Sequence, residues 1–291
     1  MLIALWVILL WSSNLVLQKI AVTHLPILVL SFLRVGFVFP LLFLFPRPSK
    51  HIGKYFLCGF FWSALYITLF GYGIQTSIGA GISAFFMQLQ VFFSILCCFL
   101  ILGEKPTGYQ TLGLLLSFAG VYMLTTTSLP AEIPLLGAGL LVASCLSFGL
   151  GLALSKKFQV GGTMGDVTWI SMTAAVPLFF ACMLFEGPLQ TYDVIINMPS
   201  IALFCVLFAT VASTIWATYL WFRLLGRAPA SAVTPFMLLL PVASNVISYF
   251  ILGETLSNQQ FVSGAIIIGG VMLAQGIHLH VPVFANWLKN N

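Results

Sequence analysis

Ten long apolar runs follow one another along the chain, separated only by short breaks of charge, proline or glycine. They fall approximately at 2–22, 25–45, 55–76, 79–101, 107–126, 134–155, 165–185, 199–221, 229–251 and 257–277. Each is close to the roughly 20 apolar residues that an α-helix needs to cross a bilayer core. In lipid every backbone polar group must be satisfied internally, so runs of this length are read as helices. The pattern predicts an all-α, polytopic membrane protein of about ten transmembrane helices. Only 6% of the 291 residues are charged, against about a quarter in soluble domains. The chain therefore cannot dress itself in water, and short connections leave no room for a soluble domain. Residues 1–11 resemble the apolar region of a signal peptide but carry no basic leader or small-x-small cleavage site, so they are read as the start of the first helix.

The few charges are sorted by side. With a cytoplasmic N-terminus, the inner loops hold Arg47, Lys50, Lys54, Lys105, Lys156, Lys157, Arg223 and Arg227, with Lys289 in the tail. The outer loops hold Glu132, Glu186, Asp193, Glu254 and His24, and no Lys or Arg. This is the positive-inside bias of a multi-pass protein of the cell inner (plasma) membrane, and it puts both termini in the cytoplasm. The net charge of +5 is small and scattered, which argues against a nucleic-acid partner. The six cysteines all sit in apolar runs and read as buried thiols, with no zinc spacing, no metal site and no cofactor expected.

The chain also repeats itself. Ile101-Leu-Gly-Glu104 returns as Ile251-Leu-Gly-Glu254, Gln110 matches Gln260, and Gly120-Val121 matches Gly270-Val271. More weakly, Trp11 to Lys19 lines up with Phe148 to Lys156. The repeat divides the chain at 1–127 and 128–291, five helices to each half. Five is odd, so the second half is inserted upside down relative to the first. Inverted five-helix repeats are an architecture of secondary transporters, with a site near the midplane between the halves.

Polar side chains inside the membrane are the candidate site residues. Arg34, near the middle of the second helix, offers five donors that match a carboxylate, or else it caps backbone carbonyls and pins helix packing. Asn14 reads either as a cavity residue or as an interhelical bond. Gln88 and Gln90 point about 200° apart on a helix, so at most one of them faces a given cavity. The aromatics Trp11, Tyr66, Tyr72, Trp216 and Tyr219 are candidate cavity walls or interfacial belt residues. Trp216 lies mid-span beside Ser213 and Thr214. Lys19, the one lysine on the outer half, either snorkels or lends positive potential to an outer vestibule. Pro235 and Pro241 each free a carbonyl in the ninth helix and make it a candidate gating element. Glu104 and Glu254 are expected to cap the helices that follow them. No acidic residue is expected inside a span, so a buried carboxylate relay is not expected.

Three stretches carry a family resemblance: Trp11-x-x-Asn14-x-Val16-x-x-Lys19, Gln88-x-Gln90-x-Phe92-Phe93 and Pro241-Val242, together with the repeated Ile-Leu-Gly-Glu. The chain resembles the EamA family of the drug/metabolite transporter superfamily over essentially its whole length, and within it the O-acetylserine/cysteine exporter branch. It departs from that branch where Ser12-Ser13 replaces the usual Gly-x and where Phe148-Gly149 stands in place of a frequent Trp. The resemblance implies a ten-helix basket with a central cavity, exporting a small-molecule substrate of the cysteine or O-acetylserine type by alternating access. Arg34 falls where that family usually carries an arginine, which favours its packing role. An importer of the same fold remains open, as does oligomeric state, a monomer being sufficient. An integral-membrane enzyme or receptor is disfavoured, since no Asp-rich pair, His-Glu-x-x-His, G-x-S-x-G or Walker A sequence is present.

Overall fold

The computed structural model describes residues 2–75, 80–125, 135–253 and 257–275. Glu132, Glu254, His278, His280 and Lys289 lie outside the described residues. Within them the chain is all helix, with no strand. Six segments are long and apolar enough to cross a membrane: Leu2–Ala21 (span 1), Ile52–Gly73 (span 3), Leu135–Phe158 (span 6), Met164–Glu186 (span 7), Ser200–Leu225 (span 8) and Ala230–Leu252 (span 9). Further apolar helices fill the remaining places at Ile27–Phe43 (span 2), Ala80–Leu102 (span 4), Gly108–Thr125 (span 5) and Asn258–Ala274 (span 10). The connection between spans 7 and 8, read from sequence as a loop, carries an extra short helix, Pro188–Ile196. It starts on Pro188 directly after Gly187, whose φ of +82° turns the chain.

The repeated residues do equivalent work in the two halves. Gln110 accepts from the Thr107 amide at 2.9 Å while the Gln110 amide donates to the Thr107 hydroxyl, a reciprocal cap that starts span 5. Ser257 and Gln260 form the same box at the head of span 10. Spans 5 and 10 then pack closely against each other. A Cβ on Gly270 would collide with Gly113 and Ser117, and one on Gly120 would collide with Ile267 and the Ser263 carbonyl. Ser117 also donates to the Ile267 carbonyl at 3.2 Å. Small residues at such crossings let membrane helices approach where no hydrophobic force drives them together.

Glu104 does not cap the helix that follows it, because the Thr107–Gln110 box already does. Its carboxylate instead accepts the Ala230 amide at 2.8 Å, at the start of span 9, and pairs with Lys156 at the end of span 6. Nor are all acidic residues outside the spans. Asp166 occupies the first turn of span 7, buried, where it closes a capping box with Thr163 and accepts from Tyr55 at 2.5 Å and Ser49 at 2.9 Å. This network ties the heads of spans 3 and 7 at the lysine-rich end. The six cysteines are buried and free.

Several spans leave the regular α-helix. Spans 3 and 8, the third of each half, carry π-helical stretches at Phe60–Leu65 and Ala209–Ala217. Span 9 breaks into a 3₁₀ stretch, Thr234–Leu239, around Pro235 and resumes as α-helix at Leu240, just before Pro241. These irregular stretches converge on the centre of the molecule.

Candidate functional site

A partly open cavity of about 970 Å³, its mouth included, lies at that centre. Spans 1 to 4 contribute to its wall from the first half, and Phe148, Ser213, Thr218, Met237 and Leu240 from the second. Its wall is mostly apolar with a few placed polar groups, the make-up of a small-molecule site.

The span 1 face is set by helical spacing. Trp11, Asn14, Leu15 and Gln18 recur at three- and four-residue intervals and so share one side. Trp11 is held from behind by its indole N–H, which donates to the Ser213 carbonyl at 3.4 Å, and its ring lies 5.1 Å from that of Trp221. Opposite, Trp62 stacks on Phe148 with ring centroids 4.2 Å apart, and Tyr66 packs against Phe148 at 5.2 Å. This aromatic wall is possible because spans 3, 4 and 6 touch backbone to backbone. A Cβ on Gly149 would sit 2.7 Å from the Phe93 carbonyl, and one on Gly151 would collide with Trp62.

Among the described residues Arg34 is the only charged side chain in the wall. Its Nε donates to the Thr214 hydroxyl at 3.0 Å, and its own carbonyl accepts from Thr210 at 3.0 Å. Both threonines belong to the π stretch of span 8, so Arg34 does pin packing between the halves. Its terminal nitrogens, however, meet no hydrogen-bond or ion-pair partner among the described residues. Asn14 and Gln90, 4% and 3% exposed, each keep a side-chain oxygen with no partner. A buried polar atom left unpaired costs about 1–3 kcal/mol, so these two oxygens, with Arg34 in the same wall, mark a site suited to something polar.

Of the sequence candidates, Trp11, Asn14, Arg34, Tyr66 and Gln90 come together in this wall, whereas Tyr72 packs against Phe185 away from it. Gln88 does not: it is buried on another side of span 4, with neither polar atom paired. Trp216 and Tyr219 are also placed elsewhere. Trp216 is 44% exposed and rests against Tyr219, whose hydroxyl accepts from Arg223 at 3.0 Å, so this group faces outward from the bundle. Lys19 lies outside the wall, exposed, with its ammonium 3.5 Å from the Ser248 hydroxyl. Pro235 and Pro241 stand off the cavity, but Met237 and Leu240 between them line it. The residues not singled out from sequence include Trp62, Gln18, Ser31 and Met87. Gln18 was legible as the continuation of the Trp11–Asn14 face; Trp62 carried no local signal.

Comparison with known proteins agrees with this architecture. The profile of the EamA-like transporter family matches residues 1–126 and 135–275. A probable amino-acid metabolite efflux pump of Escherichia coli is 27% identical over 285 residues, covering 96% of this chain and 93% of that protein. A protein of the same description from Salmonella typhimurium is also 27% identical, covering 93% of each. A solved crystal structure superposes with a TM-score of 0.78 at 16% identity, over 95% of this chain and 97% of the other, and speaks to fold alone. Ten apolar helices around a central cavity, matched in both halves by one profile, identify the chain as a transporter and not an enzyme, and it belongs to the EamA-like transporter family.

Proposed function

We propose that this protein exports small neutral amino-acid metabolites, of the cysteine and O-acetylserine type, by alternating access across the cell inner membrane. The observation that carries this reading is the cavity itself: an aromatic and amide wall drawn from both halves, with one arginine whose terminal nitrogens are unused. The efflux-pump descriptions of the two bacterial relatives point the same way. The lysine-rich loops lie in the cytoplasm with both termini, following the positive-inside bias. The halves 1–127 and 128–291 are the units that rock, and span 9, broken between Pro235 and Pro241, is the gating element. Lys19, at the opposite end of span 1 from the N-terminus, lends positive potential to the outer vestibule beside Gln18.

Proteoliposomes loaded with labelled neutral amino acids test this directly. Saturable efflux of cysteine or O-acetylserine, competed by unlabelled substrate, is expected. Absence of flux for every amino acid in the panel discards the substrate class.

A further inference from the structure

A permanently charged guanidinium inside a membrane bundle is normally matched by a carboxylate, a backbone carbonyl cluster or water. Among the described residues the Arg34 side chain has one hydrogen-bond partner, the neutral Thr214 on Nε, and its terminal nitrogens have none, while the residue lines the cavity. Among the described residues no Asp or Glu lines that cavity, so the described wall holds one fixed positive charge and no negative one. The fork geometry suits one ligand group above others, a carboxylate taken by two parallel N–H donors. The other polar groups in the wall have the opposite character. Asn14 and Gln90 hold side-chain oxygens that are nearly fully buried, acceptors with no donor. Trp11, Trp62 and Tyr66 share the same wall, and aromatic faces attract cations, the more so where water is excluded.

We infer that the cavity is a two-pole site for an α-amino carboxylate: Arg34 takes the carboxylate through its terminal nitrogens, and the Asn14 and Gln90 oxygens, backed by the aromatic faces, take the ammonium. The inference rests on the amino-acid reading above and sharpens it, because it makes the free carboxylate the obligatory feature and leaves the side chain loosely specified. A zwitterion brings both poles and leaves the occupied cavity with the same net charge as the empty one. The decarboxylated amine brings only a cation towards Arg34, and the carboxamide has one acceptor oxygen and an NH2 donor, so it cannot match two parallel N–H donors.

The test is binding to purified protein, read as quenching of the cavity tryptophans and as a thermal shift, for cysteine, cysteine carboxamide and the decarboxylated amine. At least tenfold tighter binding of the acid is expected. Arg34→Gln should abolish that preference and Arg34→Lys should restore part of it. Because Arg34 also holds span 8, Thr214→Val serves as the second variant. It removes the Nε anchor but keeps the guanidinium, and it should retain the preference at reduced stability. Equal binding of acid and carboxamide by the wild type overturns the inference while leaving amino-acid transport standing. Retention of the preference in a folded Arg34→Gln protein also overturns it. Absence of binding by all three ligands overturns it together with the amino-acid reading.

Discussion

Glu104 and Lys156 together grip the chain on both sides of Pro229: the carboxylate accepts the Ala230 amide at 2.8 Å, and the ammonium donates to the Ala228 carbonyl at 2.8 Å. The two side chains also pair with each other, each mostly buried. One ion pair therefore joins the ends of spans 4 and 6 to the entry of span 9, the same span whose 3₁₀ break reaches the cavity. Breaking either partner should expose the other and loosen that entry. Glu104→Ala and Lys156→Ala are each expected to lower stability by about 1–3 kcal/mol. In a double-mutant cycle by thermal unfolding they should show a coupling of about 1–2 kcal/mol. A cysteine placed at Ala228 should become more reactive in either variant, and additive effects would dissolve the clamp.

The break in span 9 predicts a separable kinetic effect. Pro235→Ala allows the 3₁₀ stretch to regularise towards α-helix, at a residue that does not itself line the cavity. Transport turnover should fall severalfold while substrate affinity stays within about twofold, because a difference of 1.4 kcal/mol is tenfold in binding. A parallel loss of affinity would place Pro235 in binding and not in gating.

The close helix crossings make a graded prediction. Gly149→Ala puts a Cβ 2.7 Å from the Phe93 carbonyl and should destabilise by about 1–3 kcal/mol. Gly270→Ala, facing Gly113 and Ser117, should do the same or worse. Gly139→Ala meets nothing within 4 Å and replaces a helix glycine, so it should be neutral or stabilising by up to about 1 kcal/mol. Thermal unfolding in detergent ranks the three, and an equal loss in all would show that these contacts do not set stability.

The cavity wall separates residues that looked alike in sequence. Asn14→Ala and Gln90→Ala should each raise KM about tenfold, the effect of roughly 1.4 kcal/mol. Trp216→Ala and Tyr219→Phe should leave KM within about twofold, since both face away from the cavity. Reversal of that order would move the site to span 8.

Much of this was legible from the chain because a bilayer imposes length on every helix and sorts charge by side. Gln110 and Gln260 were marked by the repeat, though not their Thr107 and Ser257 partners, and the break in span 9 by its two prolines. The site was half legible. Arg34, Asn14 and Gln90 stand out as polar groups in apolar runs, and helix geometry allowed only one of Gln88 and Gln90 into the cavity without saying which. Trp62 and Phe148 could not be told from belt or packing aromatics, since nothing local marks the face that turns inward. Trp216 was misplaced because it lies three residues from Ser213 in sequence but in a π stretch, where neighbours at that spacing leave the face. The partner of Glu104 was out of reach for another reason: Ala230 lies across the repeat, 126 residues away.

The most direct test of the cavity as the transport path uses the chain's own inert cysteines. All six are buried, so Gln18→Cys, on the cavity wall near the His24 end of span 1, is expected to present the reactive thiol. A membrane-impermeant thiol reagent added from outside should modify it, stop amino-acid efflux from proteoliposomes, and react several times more slowly in the presence of saturating substrate. Full modification with undiminished efflux, or with no protection by substrate, would contradict the account.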